Sequence, residues 1–173
     1  RRFMDEMGIK AIYPKPNLSK AAKNHPVYPY LLKNFVPTRP NQAWSIDITY
    51  IRMNHGFMYL TAIIDWYSRM IVGWELDDML STRAVKTAVR SAFETAKPEI
   101  LNSDQGSQFT SSDYIELVES NRVRISMDGR GRWADNIPIE RWFRTLKYEE
   151  IYLKDYESPK EARREIGKFI QDY

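Results

Sequence analysis

Cysteine is absent from this chain of 173 residues, and histidine occurs only at His25 and His55. Without thiols there is no disulfide, no cysteine nucleophile and no thiolate zinc site, and two histidines cannot build a His-rich metal cage. Any bound metal is therefore expected to be a hard cation held by oxygen. No apolar run approaches the roughly 20 residues that a membrane-spanning helix needs, and Arg1-Arg2-Phe3 opens no signal peptide. The expectation is a soluble intracellular protein with no membrane partner. Glycine is also scarce, at seven residues, while 43% of the chain is apolar and 13% aromatic. That composition builds one packed domain rather than a disordered tract or a repeat array.

The net charge of +3 is too small to announce a polyanion binder, but it is unevenly spread. Residues 1–43 carry eight Lys/Arg against two acids, a net +6, which leaves 18 against 21, a net −3, on residues 44–173. Six prolines between Pro14 and Pro40 break every regular period, so residues 1–43 read as a basic, Pro-containing arm or linker. The domain is expected over 44–173. Arg1 to Ile12 reads as the closing helix of a preceding unit, so the sequence is expected to be a fragment.

Within 44–173, Trp44 to Ile51 alternates, with Trp44, Ile46, Ile48 and Tyr50 on one face and Ser45, Asp47, Thr49 and Ile51 on the other. Phe57 to Ile64 after the Asn54-His55-Gly56 turn, and Met70 to Leu76, complete an antiparallel meander. Ser81-Thr82 caps a helix whose apolar positions run from Val85 to Ala96 on one stripe. Glu99 to Ser103 follows as a strand expected to pair in parallel, because a helical crossover precedes it. A helix over Asp113–Asn121, a strand over Val123–Met127, a glycine loop Asp128 to Trp133, a helix from near Asn136 and a capped final helix after Ser158 complete the order. The class is α/β, a mixed five-stranded sheet with flanking helices.

Three acids stand out by position: Asp47 within the first strand, Asp104 just beyond the fourth, and Glu140 one turn into the late helix. Adjacency of the first and fourth strands would bring them to one edge of the sheet, where open α/β sheets place their ligands. Three gathered carboxylates repel unless a cation neutralises them, and Mg²⁺ suits such oxygen donors. Asp65, also at a strand end, is the rival first acid. Each acid alone is bland, and Glu140 has Arg144 four residues on as an ordinary ion-pair candidate.

The stretches RPNQAWSIDITYI, GFMYLTAIIDWYSR, ILNSDQGSQFTS, ISMDGRGRWADNIPIERWFRTLKYE and YESPKEAR resemble the catalytic core of bacterial insertion-sequence transposases of the retroviral-integrase type, encoded by a second reading frame. Thirty-five residues separate Asp104 from Glu140, the interval of the family's D,D(35)E signature. The resemblance implies a ribonuclease H-like fold, with Asp47, Asp104 and Glu140 as catalytic and metal-binding residues. It selects Asp47 over Asp65, because Trp44-Ser45-Ile46-Asp47-Ile48-Thr49 supplies the family's first-acid segment. It further implies DNA cleavage and strand transfer at transposon ends with two Mg²⁺ ions, or Mn²⁺ in their place, and double-stranded DNA as partner. A homo-oligomer on that DNA, a location in the bacterial cytoplasm on the nucleoid, a missing N-terminal helix-turn-helix domain and a truncated C-terminus are implied as well.

The DNA-contact candidates are Lys147 and Arg144, which share a helical stripe with Asn136 and Glu140; Arg130 and Arg132 in the glycine loop; and Gln105 and Gln108 beside Asp104. Gly106 is expected to permit close backbone approach there. Trp66, Tyr67, Trp133, Trp142 and Phe143 could stack on bases but are read mainly as core or interface. Two alternatives stay open: a ribonuclease H-like nuclease that cuts without joining, and an inactive, truncated DNA-binding or assembly remnant.

Overall fold

A computed structural model describes residues 27–129 and 136–173. Five strands form one mixed sheet: β1 (Ala43–Arg52), β2 (Phe57–Asp65), β3 (Ile71–Asp77), β4 (Ile100–Ser103) and β5 (Arg124–Met127), in the spatial order β3-β2-β1-β4-β5. The meander β1-β2-β3 is antiparallel, whereas β4 and β5 join in parallel to β1 and β4 respectively. Each parallel strand is reached through a helix, α1 (Thr82–Thr95) before β4 and α2 (Ser112–Ser120) before β5. Helices α3 (Ile137–Glu149) and α4 (Pro159–Asp172) follow, separated by a single 3₁₀ turn at Ile151–Leu153.

The sheet is covered on both faces. Trp44, Ile46 and Ile63 pack with Val85, Val89 and Tyr114 from α1 and α2, while Ile51, Leu60 and Ile64 pack with Trp142, Leu146 and Ile166 from α3 and α4. Two covered faces explain why β2 reads as an unbroken apolar run instead of an alternating one. The local signals work as sterics and hydrogen bonding require: the Ser81, Ser111 and Ser158 side chains each accept a hydrogen bond from a first-turn N–H, capping α1, α2 and α4. Helix α1 ends at Thr95, before Pro98.

The described part of the basic arm lies against the domain. Leu32 is buried with Ala43 and Ile100, Tyr28 donates its hydroxyl to Glu119, and the Leu31 N–H reaches Ser126 Oγ at 3.0 Å. A segment read from its prolines as a linker is thus, over residues 28–42, a strap laid along the β4–β5 side of the sheet. Prolines forbid ladder pairing but not burial of the side chains between them.

Candidate active site

Register places the acids. Ser45 of β1 lies opposite Asn102 of β4, which lies opposite Ser126 of β5. Carried two residues further, that register runs Asp47, inside β1, beside Asp104 and Asp128, which lie just past the ends of β4 and β5. Residues two apart on a strand share a face, so Asp47 points as Ser45, Thr49 and Ile51 do, toward the layer holding α3. Helix α3 carries Glu140 in its first turn, with Pro138 beside it as a helix-starting residue.

Electrostatics agrees with that placement. The Asp47 carboxyl is raised to about 7, chiefly by burial and further by the negative charges of Asp104, Glu140 and Asp128, against the opposing Ile48 N–H hydrogen bond. Asp47 is half-buried, while Asp104 and Glu140 are exposed. Backbone donors orient two of them: the Ile48 N–H to Asp47 Oδ1 at 2.7 Å, and the Gly106 N–H to Asp104 Oδ1 at 2.8 Å. The donor set is all oxygen and negatively charged, which is the chemistry a hard divalent cation needs. The side chains interact across the site, although among the described residues no three of them gather closely enough to hold a metal ion.

Asp65 has a different task. It is buried at the far end of β2, accepting the Asn41 N–H at 3.0 Å with one oxygen and both the Ser68 N–H and hydroxyl with the other. That is a turn-holding carboxylate.

Around the acids, Gly106 behaves as close approach demands: a Cβ there would stand 2.9 Å from Asp104 Oδ1. Gln105 donates its amide to the Asp128 carbonyl at 2.8 Å, bracing the end of β5. Gln108 is half-buried in the same turn. Asn136 is the N-cap residue of α3, buried, with its Oδ1 lacking a hydrogen-bond partner. Arg144 is exposed and Lys147 half-buried on α3, and the Arg144 guanidinium lies over the Tyr148 ring at 5.7 Å instead of pairing with Glu140. Arg130, Arg132 and Trp133 lie outside the described residues. Trp142 and Phe143 belong to the core. Two features escaped the sequence reading: Asp128, whose level with Asp104 follows only from β4–β5 register, and the exposed tyrosines Tyr148 and Tyr152.

Among solved structures, the chain resembles a simian T-cell lymphotropic virus intasome chain, with TM-score 0.66 and 15% identity over 84% of this chain and 53% of that one. It also resembles the HTLV-2 integrase catalytic core domain, with TM-score 0.62 and 19% identity over 77% and 84%. The fold is therefore that of retroviral integrase catalytic cores, ribonuclease H-like, as read from the sequence. Residues 37–132 match the integrase core domain family, and the chain belongs to that family. Its relatives include the transposase for insertion sequence element IS904 of Lactococcus lactis, 37% identical over 142 residues, which are 80% of this chain and 56% of that protein. Transposase InsF for insertion sequence IS3A of Escherichia coli is 32% identical over 161 residues, 90% of this chain and 56% of that protein. The chain thus spans about half the length of the curated relatives it matches. Among the described residues no helix is long and apolar enough to cross a membrane.

Proposed function

We propose that this chain is the catalytic core of an insertion-sequence transposase that cleaves and rejoins DNA phosphodiesters, with Asp47, Asp104 and Glu140 as its acids. The observation that supports the reading most is the β1–β4 register, which runs Asp47, inside β1, beside Asp104, just past β4, together with the packing of α3, which carries Glu140, on the same layer as Ile51 of β1. In this reading Asp47, set into the sheet and oriented by the Ile48 N–H, Asp104, held by the Gly106 N–H, and Glu140 would together hold the metal. When bound, a pair of Mg²⁺ or Mn²⁺ ions would activate the attacking water or terminal 3′-OH and stabilise the departing 3′ oxygen. The chain's own work is positional: a rigid sheet edge fixes two carboxylates, and a helix packed on that sheet fixes the third. Arg144 and Lys147, on the exposed side of α3, contact phosphates and hold the strand in register, and Arg130 and Arg132 add charge from the preceding loop. Gln105, Gln108 and Asn136 shape the turn and helix start at which the strand lies.

The partner in this reading is double-stranded DNA, at transposon ends and at a target, engaged by a homo-oligomer in the bacterial cytoplasm on the nucleoid. An HTLV-2 integrase core in complex with magnesium, and transposases among the relatives, support the metal and the substrate class.

The test uses end-labelled duplexes incubated with Mg²⁺ or Mn²⁺. Asp104→Asn and Glu140→Gln should each abolish metal-dependent cleavage and joining while keeping DNA affinity, because phosphate contacts supply most of it. Activity surviving in either variant would overturn the assignment. Cleavage without transfer to a marked target would leave a nuclease that does not join.

A further inference from the structure

On the exposed side of α3, one ridge leads away from Glu140. Arg144 stands one turn on, its guanidinium over the Tyr148 ring at 5.7 Å, and Tyr148 meets Tyr152 edge to face, with centroids 5.4 Å apart and rings at 80°. Both tyrosines are 63% exposed. A single exposed ring is ordinary, but two rings in contact and beside a cation make a contiguous patch of the kind that marks an interaction site. The ridge is also held in place. Tyr152 sits in the 3₁₀ turn that joins α3 to α4, and the adjoining Lys154 bridges Glu150 at 2.8 Å and Glu165 at 2.9 Å. Beside Tyr152 opens a cavity of about 320 Å³, walled across from it by Arg52, Met53 and Asn54 of the β1–β2 turn.

We propose that Tyr148 and Tyr152 form a stacking platform for an unpaired nucleotide of the DNA substrate, with Arg144 beneath the first ring and the cavity beside Tyr152 receiving the displaced base. The inference rests on the DNA reading above and specifies which state of the DNA the site takes. Three observations carry it. The edge-to-face pair cannot close on itself, so ring faces stay available to a third flat partner. The flanking cations Arg144 and Lys147 match a phosphate backbone, which favours nucleic acid over an apolar peptide. The spacing fits as well: Tyr148 lies eight residues beyond Glu140, about 12 Å along the helix, or three to four nucleotides of B-form DNA. A strand with its reacting phosphate at Glu140 that runs along α3 passes the tyrosines within that length. Bases within a duplex are stacked on one another and cannot stack on side chains, so the platform engages only a frayed or extruded nucleotide.

The experiment measures binding in EDTA, where no chemistry occurs. Its probes are a hairpin duplex with a short unpaired 3′ tail carrying 2-aminopurine and the same hairpin fully paired. Wild-type protein should quench the tail's fluorescence and prefer the tailed DNA. The variant carrying Tyr148→Ala and Tyr152→Ala should lose about 5- to 160-fold in affinity for the tailed DNA, the value of one stacked base, with the paired hairpin unaffected and the salt dependence unchanged. Tyr148→Phe with Tyr152→Phe should restore the preference, since the rings remain. Because both rings are exposed, the Ala variant should melt as wild type does, and melting curves check that. An equal loss on both DNAs, or no loss on the tailed one, overturns the platform. Should wild-type protein cut marked duplexes yet be indifferent to the Ala substitutions on tailed DNA, the platform fails and the nuclease reading stands. A wild-type protein that binds neither DNA overturns both.

Discussion

Asp47→Asn tests the site without any substrate. The native carboxyl is held at about 7 against an ordinary value of 3.8, chiefly because it is buried, with Asp104, Glu140 and Asp128 adding their repulsion. A carboxyl raised in the folded state favours folding most when protonated, so this contribution is complete below about pH 4, declines as pH rises and is gone above about pH 7. At 1.36 kcal/mol per pH unit, the ionised side chain costs the metal-free fold about 4 kcal/mol above pH 7, as an order of magnitude. Asparagine is nearly isosteric, keeps an oxygen to accept the Ile48 N–H and cannot ionise. In EDTA the variant should therefore match wild type near pH 4, gain steadily through pH 5 and 6, and level off a few kcal/mol more stable at pH 8. Urea denaturation of both proteins at several pH values reads this, since titrating groups remote from Asp47 cancel in the difference. Excess Mg²⁺ at pH 8 should then raise the stability of wild type and leave the variant little changed, because ligand binding to the folded state alone stabilises it. A stability difference independent of pH would refute the raised Asp47 carboxyl, and with it the burial and neighbouring charges that raise it.

Three further substitutions separate roles that the fold assigns. Gly106→Ala puts a methyl 2.9 Å from Asp104 Oδ1 and should lower metal-dependent cleavage about 10- to 100-fold by displacing that carboxylate, with melting almost unchanged; steady-state rates beside a melting curve decide it. Gly73→Ala forces a Cβ to 2.7 Å from both the Ala88 carbonyl and the Ala92 Cβ, where β3 meets α1, and should cost about 1–3 kcal/mol in urea denaturation without altering activity per folded molecule. Asp65→Ala strips acceptors from the Asn41 and Ser68 N–H groups and should destabilise by about 2–4 kcal/mol. Loss of cleavage by the folded Asp65 variant, scored after correcting for the unfolded fraction, would return Asp65 to the catalytic set.

The chain by itself determined the local elements and nominated the acids. Alternation in Trp44 to Ile51, serine caps at Ser81 and Ser158 and the apolar stripe of the first helix are effects of near neighbours, so a linear reading captures them. The interval from Asp104 to Glu140, set within SDQGSQFTS and DNIPIER, likewise needs no coordinates. What only the tertiary structure decided depends on strands remote in sequence. Asp128 becomes level with Asp104 because β5 pairs with β4 in one register, and a shift of one residue would turn it to the other face. Residues 28–42 are a strap and not a free linker because Leu32 finds a pocket lined by Ala43 and Ile100, which composition cannot foretell. Tyr148 and Tyr152 look like ordinary helix and turn residues until the packing of α3 on the sheet shows which of its sides the solvent keeps. Periodicity and capping act over a few residues and can be read in order, while register, burial and exposure are properties of surfaces that exist only once the chain has closed on itself.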